Sequence, residues 1–197
     1  KRQEDFAESL FIASTLSYIL FFTDLGSVYW LKVHEIPEAG RAAKGKPIVN
    51  LLKLEEGEKI TAHLPVKEFS KGYFVVMATK NGVIKKTDLM AYSNPRASGI
   101  IALTLDEGDR LVSSRLTDGK NDIFLTTRGG LCIRFNEKKA RPMGRAARGV
   151  KAISLKKGDE VISMDSVIKG TTILTATENG FGKRTKIDDY RITNRGG

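Results

Sequence analysis

The chain has 197 residues, of which 41% are hydrophobic, and 33 Lys and Arg side chains against 23 Asp and Glu give a formal net charge of +10. This length allows one large or two small domains, and the apolar share excludes a disordered chain. The single cysteine excludes a disulfide framework, and the apolar stretch at residues 9–22 is too short to span a bilayer. No signal peptide opens the chain, so we expect a soluble, basic, cytoplasmic globular protein.

The first recurring element along the chain is an apolar, β-rich run that ends in a Thr three residues before a Gly. It occurs at residues 23–26, 79–82, 127–130 and 177–180, and the intervals between the glycines are 56, 48 and 50 residues. Four copies at nearly equal spacing indicate an internal repeat.

Two further elements recur with the same period. A loop of basic and small residues that ends in Gly occupies residues 41–45, 96–99 and 145–149, at intervals of 54 and 50 residues. The pattern Leu-x-x-Gly-acid occupies residues 54–58, 105–109 and 155–159, at intervals of 51 and 50 residues. Three landmarks in one order with one period predict a repeat protein.

One unit shows how each repeat is expected to fold. Residues 74–78 are apolar and include the β-branched Val75 and Val76, which is typical of a buried strand. The Asn81-Gly82 pair that follows predicts a type I′ hairpin turn, in which both central residues have positive φ. The second half of a unit has the same pattern, so each unit contains about four short strands joined by glycine turns. Since no stretch has a sustained helical period, we predict an all-β propeller of four-stranded blades with little helix.

The repeats predict a single repeat domain over residues 1–197. Its approximate units are 1–57, 58–108, 109–158 and 159–197, of which the last is incomplete, and the chain opens inside a unit. About four blades are therefore expected in this chain. An open array would expose its two flanking blades, so we expect more units in the intact protein.

Most of the excess positive charge lies in one stretch. Residues 120–155 hold 9 basic and 2 acidic side chains, whereas residues 1–60 hold 8 and 9. A polyanion partner gains from such a bias through counterion release, which favours nucleic-acid binding. A basic patch that serves only solubility is the alternative.

Three stretches carry a resemblance to a known family. Residues 37–52 (PEAGRAAKGKPIVNLL), 77–87 (MATKNGVIKKT) and 174–185 (LTATENGFGKRT) resemble the C-terminal domain of DNA gyrase A, which is part of a bacterial type IIA topoisomerase. The resemblance implies a six-bladed β-pinwheel, a propeller relative, of which this chain would supply about four blades. It also implies that the domain wraps DNA around its rim with a fixed handedness, so that the enzyme introduces negative supercoils.

The same resemblance implies the partners. They are double-stranded DNA, the remainder of gyrase A, and gyrase B, with the two gyrase proteins assembled as a heterotetramer. This fragment alone would be neither an enzyme nor a cofactor-binding unit. The catalytic tyrosine, the ATPase, and the ATP and Mg²⁺ would belong to other parts of the holoenzyme.

One family feature is incomplete. The hallmark box Gln-Arg-Arg-Gly-Gly-Lys-Gly does not occur in full, although residues 195–197 match its middle, and we expect the complete box just upstream of Lys1. Its absence from the native protein would favour a role like that of topoisomerase IV, whereas the close match at residues 45–52 favours gyrase.

Wrapping requires many phosphate contacts along a curved surface and no reading of base edges. A basic loop on each repeat would supply them, and the glycines at 45, 99 and 149 would let backbone amides approach phosphate. Alternatively, these glycines only form turns and the basic side chains only solvate strand ends, or the loops face an acidic protein on an interaction platform. The predicted DNA-binding residues are Arg41, Lys44, Lys46, Lys85, Lys86, Arg96, Arg134, Arg145, Arg148, Lys151, Lys183, Arg184 and Arg195.

No catalytic or metal site is predicted. His34 and His63 lie in different parts of the unit without companion ligands. Cys132 alternates with apolar residues in a β-run, so we expect a packed or half-exposed thiol. No Gly-x-x-x-x-Gly-Lys-Ser/Thr loop indicates ATP binding.

Overall fold

Short strands and 3-10 helices make up the part of the chain that the computed structural model describes, residues 9–40 and 43–197, and these residues contain no α-helix. The predicted all-β structure is confirmed there. No helix within these residues is long and apolar enough to cross a membrane. The strands are β1 (Tyr18–Thr23), β2 (Ser27–Lys32), β3 (Ile60–Val66), β4 (Phe74–Thr79), β5 (Val83–Asp88), β6 (Ile100–Ile101), β7 (Leu111–Thr117), β8 (Asp122–Thr127), β9 (Cys132–Asn136), β10 (Val150–Lys151), β11 (Val161–Val167), β12 (Thr172–Ala176) and β13 (Gly182–Lys186). The 3-10 helices are Val33–Glu35, Ile48–Asn50, Leu89–Tyr92, Glu137–Lys139 and Ile187–Asp189.

The strands form four antiparallel sheets, and each of the first two sheets takes one edge strand from beyond the next hairpin along the chain. The strand orders are β3-β1-β2-β6, β10-β5-β4-β7, β11-β8-β9 and β12-β13. β6 follows the β4–β5 hairpin in the chain, yet it pairs with β2 of the first sheet, where Ile100 faces Val28. In the same way β10 pairs with β5 of the second sheet, where Val150 faces Ile84. The four strands within residues 58–108 are therefore divided between two sheets.

Each of the first three sheets has an inner and an outer edge. The strands β3, β7 and β11 contact one another across neighbouring sheets, and the Ser113 hydroxyl on β7 donates to the Met164 carbonyl on β11 at 3.1 Å. These three strands therefore form the inner side of the array. β6, β10 and β9 lie at the opposite edges of their sheets, on the outer side.

Apolar cores fill the spaces between successive sheets. Phe22 of the first sheet packs with Met77 of the second and with Tyr92, and all three are buried. Val76, on the other face of the second sheet, packs with Leu125 of the third. Because β1, β4 and β8 are buried on both faces, they are continuous apolar runs rather than alternating ones.

The predicted hairpins form, but the predicted turn type is wrong. In the Asn81-Gly82 turn the Gly82 N–H donates to the Thr79 carbonyl at 3.0 Å, and Gly82 has a φ of +81°. No described residue other than glycine has a positive φ, so Asn81 does not adopt the conformation that a type I′ turn requires. The geometry is that of a type I turn followed by a left-handed glycine, the usual form of a three-residue hairpin loop.

The structure explains why a Thr precedes each of these turns. The Oγ1 atom of Thr79 accepts a hydrogen bond from the backbone N–H of Val83, four residues on, at 3.3 Å. The threonines at 23, 127 and 177 accept the equivalent bond at 3.2 Å. Each Thr therefore closes its own hairpin.

The acidic residue of the Leu-x-x-Gly-acid pattern, which lies two residues before an inner strand, bonds to the same turns. Asp109 accepts the backbone N–H of Asn81 at 2.9 Å, and Asp159 accepts that of Gly129 at 2.8 Å. Glu58 instead accepts the Thr23 hydroxyl at 2.6 Å. Two of the landmarks found in the sequence are thus hydrogen-bond partners in three repeats, through a backbone N–H in two of them and through the Thr hydroxyl in the first.

Candidate nucleic-acid interface

The strand order places the basic loops of the described residues on the outer side of the array. Residues 93–99 and 140–149 lead directly into β6 and β10, which are outer-edge strands. Residues 190–197 run along β9, where the Thr193 N–H donates to the Arg134 carbonyl at 2.8 Å. We call these three segments the perimeter loops.

Two of the perimeter loops are each tied to the segment that follows the outer strand of the preceding repeat. Thr104, just after β6, donates its hydroxyl to the Ala146 carbonyl at 2.7 Å. In the next repeat Ser154, just after β10, donates to the Gly196 carbonyl at 2.6 Å. The loops at residues 140–149 and 190–197 are therefore each fixed to the preceding repeat on the outer side.

In the loop at residues 140–149, Arg148 near the C-terminal end is the most exposed of the predicted cations. The Arg148 side chain is 70% exposed and its guanidinium lies 2.5 Å from the carboxylate of Asp106, which is also exposed. Exposed ion pairs contribute only about 0–1 kcal/mol, so a phosphate can compete with this carboxylate. Arg145 is half-buried, and Lys151 on β10 is exposed.

The other predicted residues on the surface are spread over three repeats. Arg96 is exposed in the loop at residues 93–99, and Lys44 and Lys46 are exposed ahead of the Ile48–Asn50 helix. Lys183 and Arg184 are exposed on β13. Arg41 lies outside the described residues.

Arg195 is half-buried and ties two backbone segments together. Its guanidinium donates to the Lys151 carbonyl at 2.5 Å and to the Lys139 carbonyl at 3.3 Å. This side chain therefore anchors the last perimeter loop to the residues on either side of the loop at 140–149, and these bonds use donors that a phosphate would need.

Lys85, Lys86 and Arg134 lie in the interior, which corrects their prediction as phosphate contacts. Their exposures are 0%, 3% and 6%. Lys86 forms an ion pair with Glu137 at 2.8 Å, and the Arg134 guanidinium donates to Asp122 and to the Ile187 carbonyl. Buried cations need such partners, and here the partners occupy their donors.

Lys86 and Arg134 belong to a position that recurs in every sheet. In the hairpin registers Lys86 faces Val76 and Arg134 faces Phe124, just as Trp30 faces Leu20 in the first sheet. Each of these side chains contacts the 3-10 helix region of the following repeat: Trp30 donates to the Tyr92 carbonyl at 2.9 Å. Arg184 occupies the same position on β13, facing Leu174, and is exposed. This position therefore connects consecutive repeats, which the sequence analysis did not find.

The loop glycines at 99 and 149 serve close packing. A Cβ on Gly149 would lie 2.6 Å from the Ile84 carbonyl oxygen, and one on Gly99 would lie 2.7 Å from the Tyr29 ring. Both glycines also have positive φ. A Cβ on Gly45 would contact nothing within 4 Å. The first two glycines thus let the loops approach the preceding sheet.

Further exposed cations were missed by the sequence analysis. Lys138, Lys139 and Arg141 are exposed between β9 and β10. They lie within the highly basic stretch at residues 120–155, and that local charge was the signal that could have identified them. Lys169 and Arg191 line an open cleft between the third and fourth repeats, where no sequence pattern marks them.

The described residues show no cluster of three or more His, Cys, Asp or Glu side chains that could hold a metal ion. His63 instead stacks on Phe11, with ring centroids 4.2 Å apart, and lies 3.2 Å from the Ser9 hydroxyl. Cys132 is exposed on β9, more so than the sequence predicted.

Comparison with known proteins agrees with the repeats. Residues 17–67, 73–118, 121–168 and 171–197 match the family described as DNA gyrase C-terminal domain, beta-propeller. The chain is 46% identical over 199 residues to the DNA gyrase A of Chlamydia muridarum, covering 100% of this chain and 24% of that protein. The chain thus spans about a quarter of the length of this curated relative.

Two solved structures share the fold. The crystal structure of the C-terminal domain of DNA topoisomerase IV matches with a TM-score of 0.84 and 32% identity, covering 92% of this chain and 57% of that one. The structure of a DNA gyrase A C-terminal domain matches with a TM-score of 0.80 and 23% identity, covering 93% and 59%. The propeller class predicted from the repeats is confirmed, and so is the resemblance seen in residues 37–52, 77–87 and 174–185. The chain belongs to the family of DNA gyrase C-terminal domains, which fold as a β-propeller.

Proposed function

We propose that this domain binds double-stranded DNA without sequence preference and wraps it with a fixed handedness along the outer side of the array. The observation that carries the proposal is the row of perimeter loops on the outer side of the array, which presents exposed cations from successive repeats on one edge. Phosphate contacts of this kind provide affinity without reading sequence.

The proposed contacts are the exposed predicted cations and the half-buried Arg145, together with the neighbouring exposed cations found in the structure. Lys85, Lys86 and Arg134 are left out because they are buried, and Arg195 because it holds the backbone. The set is Lys44, Lys46, Arg96, Lys138, Lys139, Arg141, Arg145, Arg148, Lys151, Lys183 and Arg184.

The family supports the wider role that we propose. In the cytoplasm, with the remainder of gyrase A and with gyrase B, the wrapped DNA would be presented for strand passage. The holoenzyme would then introduce negative supercoils at the expense of ATP, with its catalytic tyrosine, ATPase and Mg²⁺ in other domains.

Charge reversal in the most basic perimeter loop tests the proposal. The variant carries Arg145→Glu, Arg148→Glu and Lys151→Glu, and the matched control carries Arg115→Glu on the inner strand β7. Circular DNA is relaxed by a nicking-closing topoisomerase in the presence of each protein, and the change in the linking number of the DNA is measured. The unmodified chain should leave positive writhe, the control should do the same, and the triple variant should not.

Binding of unrelated duplexes at several salt concentrations completes the test. We expect equal affinities for different sequences and a steep loss of affinity with salt. A flat salt dependence, or weak DNA binding at physiological salt, would instead support a protein-interaction platform. In a reconstituted enzyme, unchanged supercoiling by the triple variant would remove this loop from the DNA path.

The structure match at 32% identity favours one second candidate, a domain of the kind found in topoisomerase IV. A domain that only holds a DNA segment would show the same salt dependence but would leave the linking number unchanged. The two measurements together therefore separate wrapping from simple binding.

A further inference from the structure

Lys85 is the most deeply buried cation of the described residues, and it joins two distant backbone segments. Its ammonium group donates to the Ala102 carbonyl at 2.5 Å and to the Arg145 carbonyl. Ala102 directly follows β6, the borrowed strand of the first sheet, whereas Arg145 lies in the perimeter loop at residues 140–149. One side chain on β5 thus ties the loop to the neighbouring sheet.

The backbone of this loop turns its carbonyl groups towards the preceding repeat. The Ala146 carbonyl accepts the Thr104 hydroxyl at 2.7 Å, and the Ala147 carbonyl accepts the Thr104 N–H at 3.4 Å. Because Lys85 also donates to the Arg145 carbonyl, three consecutive carbonyls of the loop accept hydrogen bonds from the preceding repeat. The directions in which the Arg145 and Arg148 side chains leave the backbone are therefore set by these bonds.

A lysine at this place is costly for stability. Its two hydrogen-bond partners are neutral carbonyls, and the charged group that perturbs it is the cation of Arg145. Burial, and then this like charge, lower the pKa of Lys85 from 10.5 to about 7. An apolar side chain would fill the same space without this penalty, so the side chain calls for a role other than packing.

We propose that Lys85 is a positioning residue for the phosphate contacts of Arg145 and Arg148. The proposal rests on the function proposed above and refines it. Lys85 fixes the Arg145 carbonyl, and thereby the loop that carries both guanidinium groups, without touching DNA itself.

The test is a mutant cycle read out by the salt dependence of binding to a random-sequence duplex. The chains compared are the unmodified one, Lys85→Met, Arg145→Ala with Arg148→Ala, and the combination of all three. Each lost phosphate contact lowers the slope of log affinity against log salt by about 0.9, so the double arginine variant should lower it by up to about 1.8. Lys85→Met should reproduce most of this decrease although it removes a buried group, and the combined variant should fall no lower than the double variant.

Four further measures keep the outcomes distinct. Arg115→Ala on the inner strand should leave the slope unchanged, and circular dichroism establishes that every variant is folded at the assay temperature. If Lys85→Met does not fold, Lys85→Gln, which keeps a neutral donor, takes its place. Amide hydrogen exchange on the free protein should be faster at residues 145–149 in the Lys85 variant than in the unmodified chain.

A folded Lys85→Met chain with an unchanged slope, beside a double arginine variant whose slope falls, would overturn the positioning role while leaving the proposed function intact. A double arginine variant with an unchanged slope would contradict DNA contact by this loop, and the positioning role would fall with it. Unchanged hydrogen exchange at residues 145–149 would also contradict a role of Lys85 in holding the loop.

Discussion

Lys86 and Glu137 form an ion pair at 2.8 Å between the second sheet and the 3-10 helix of the next repeat, with side-chain exposures of 4% and 0%. The Glu137 carboxylate also accepts the Thr117 hydroxyl and the Asn121 N–H, each at 2.8 Å. A buried carboxylate with this many donors is fully satisfied. The contact therefore fastens two repeats together through one charged group.

We expect Glu137→Gln to lower the free energy of unfolding by about 3–5 kcal/mol, because it leaves the Lys86 ammonium buried without a countercharge. Urea denaturation followed by circular dichroism measures the loss. The control is Glu160→Gln, which breaks the more exposed pair with Lys80 and should cost much less, because solvent screens that pair. Equal losses in the two variants would contradict the role given to burial.

Lys85 gives folding a pH dependence of known sign. Its pKa is about 7 in the folded chain and 10.5 when unperturbed, so between these values the unfolded state binds more protons. The free energy of unfolding should therefore rise with pH across this window, whereas below about pH 7 the cost of burying the charge is fully present. Denaturation at about pH 7 and about pH 9.5 should show a smaller rise for Lys85→Met than for the unmodified chain. An identical pH response of the two chains would contradict Lys85 as the source of this pH dependence.

The two loop glycines at 149 and 45 should respond differently to alanine. Gly149 has a φ of +100°, and its Cβ would lie 2.6 Å from a backbone oxygen, so Gly149→Ala should cost about 1–3 kcal/mol of stability. Gly45 has neither constraint, and Gly45→Ala should change the midpoint of thermal unfolding little. A stability loss of the same size at both positions would show that the close approach to Ile84 is not the cause.

Asp106 competes with DNA for Arg148 if the outer loops bind phosphate. Asp106→Asn should therefore strengthen duplex binding, measured by fluorescence anisotropy at fixed salt, and the gain should disappear in an Arg148→Ala background. The matched control is Asp165→Asn, which breaks the Arg115 pair on the inner strands and should leave affinity unchanged. A gain that persists without Arg148 would mean that Asp106 acts only through net charge.

The parts of the fold that depend on local sequence were predictable. The glycine turns and the apolar runs mark the hairpins, because both signals act over a few residues. The pairing of β6 and β10 with the sheet of the preceding hairpin was not predictable, since a two-residue strand carries no local sign of which hairpin it joins. The turn type at Asn81 also escaped prediction, because the Thr79 hydroxyl and the Asp109 carboxylate favour a different turn from the one that Asn-Gly prefers.

The candidate site likewise has a part that could be predicted from the sequence and a part that could not. The exposed cations of the perimeter loops could be identified because basic, small and glycine residues cluster there. Lys85, Lys86 and Arg134 were misassigned because a cation on a hairpin strand is usually half-exposed. In this fold the strand is covered on both faces, and each of these cations has at least one acceptor in the next repeat, which no single stretch of sequence reveals.

Strand borrowing has a practical consequence for shortening or lengthening the array. A deletion whose ends coincide with the sequence period removes an edge strand from a sheet that it leaves behind, and exposes unpaired N–H and C=O groups there. To remove a repeat without leaving such an edge, the cuts must follow the sheets. The segment that carries β6 or β10 must then stay joined to the sheet with which it pairs. Chimeras that exchange whole repeats between relatives would fold only when each edge strand can still pair with the sheet of the preceding repeat.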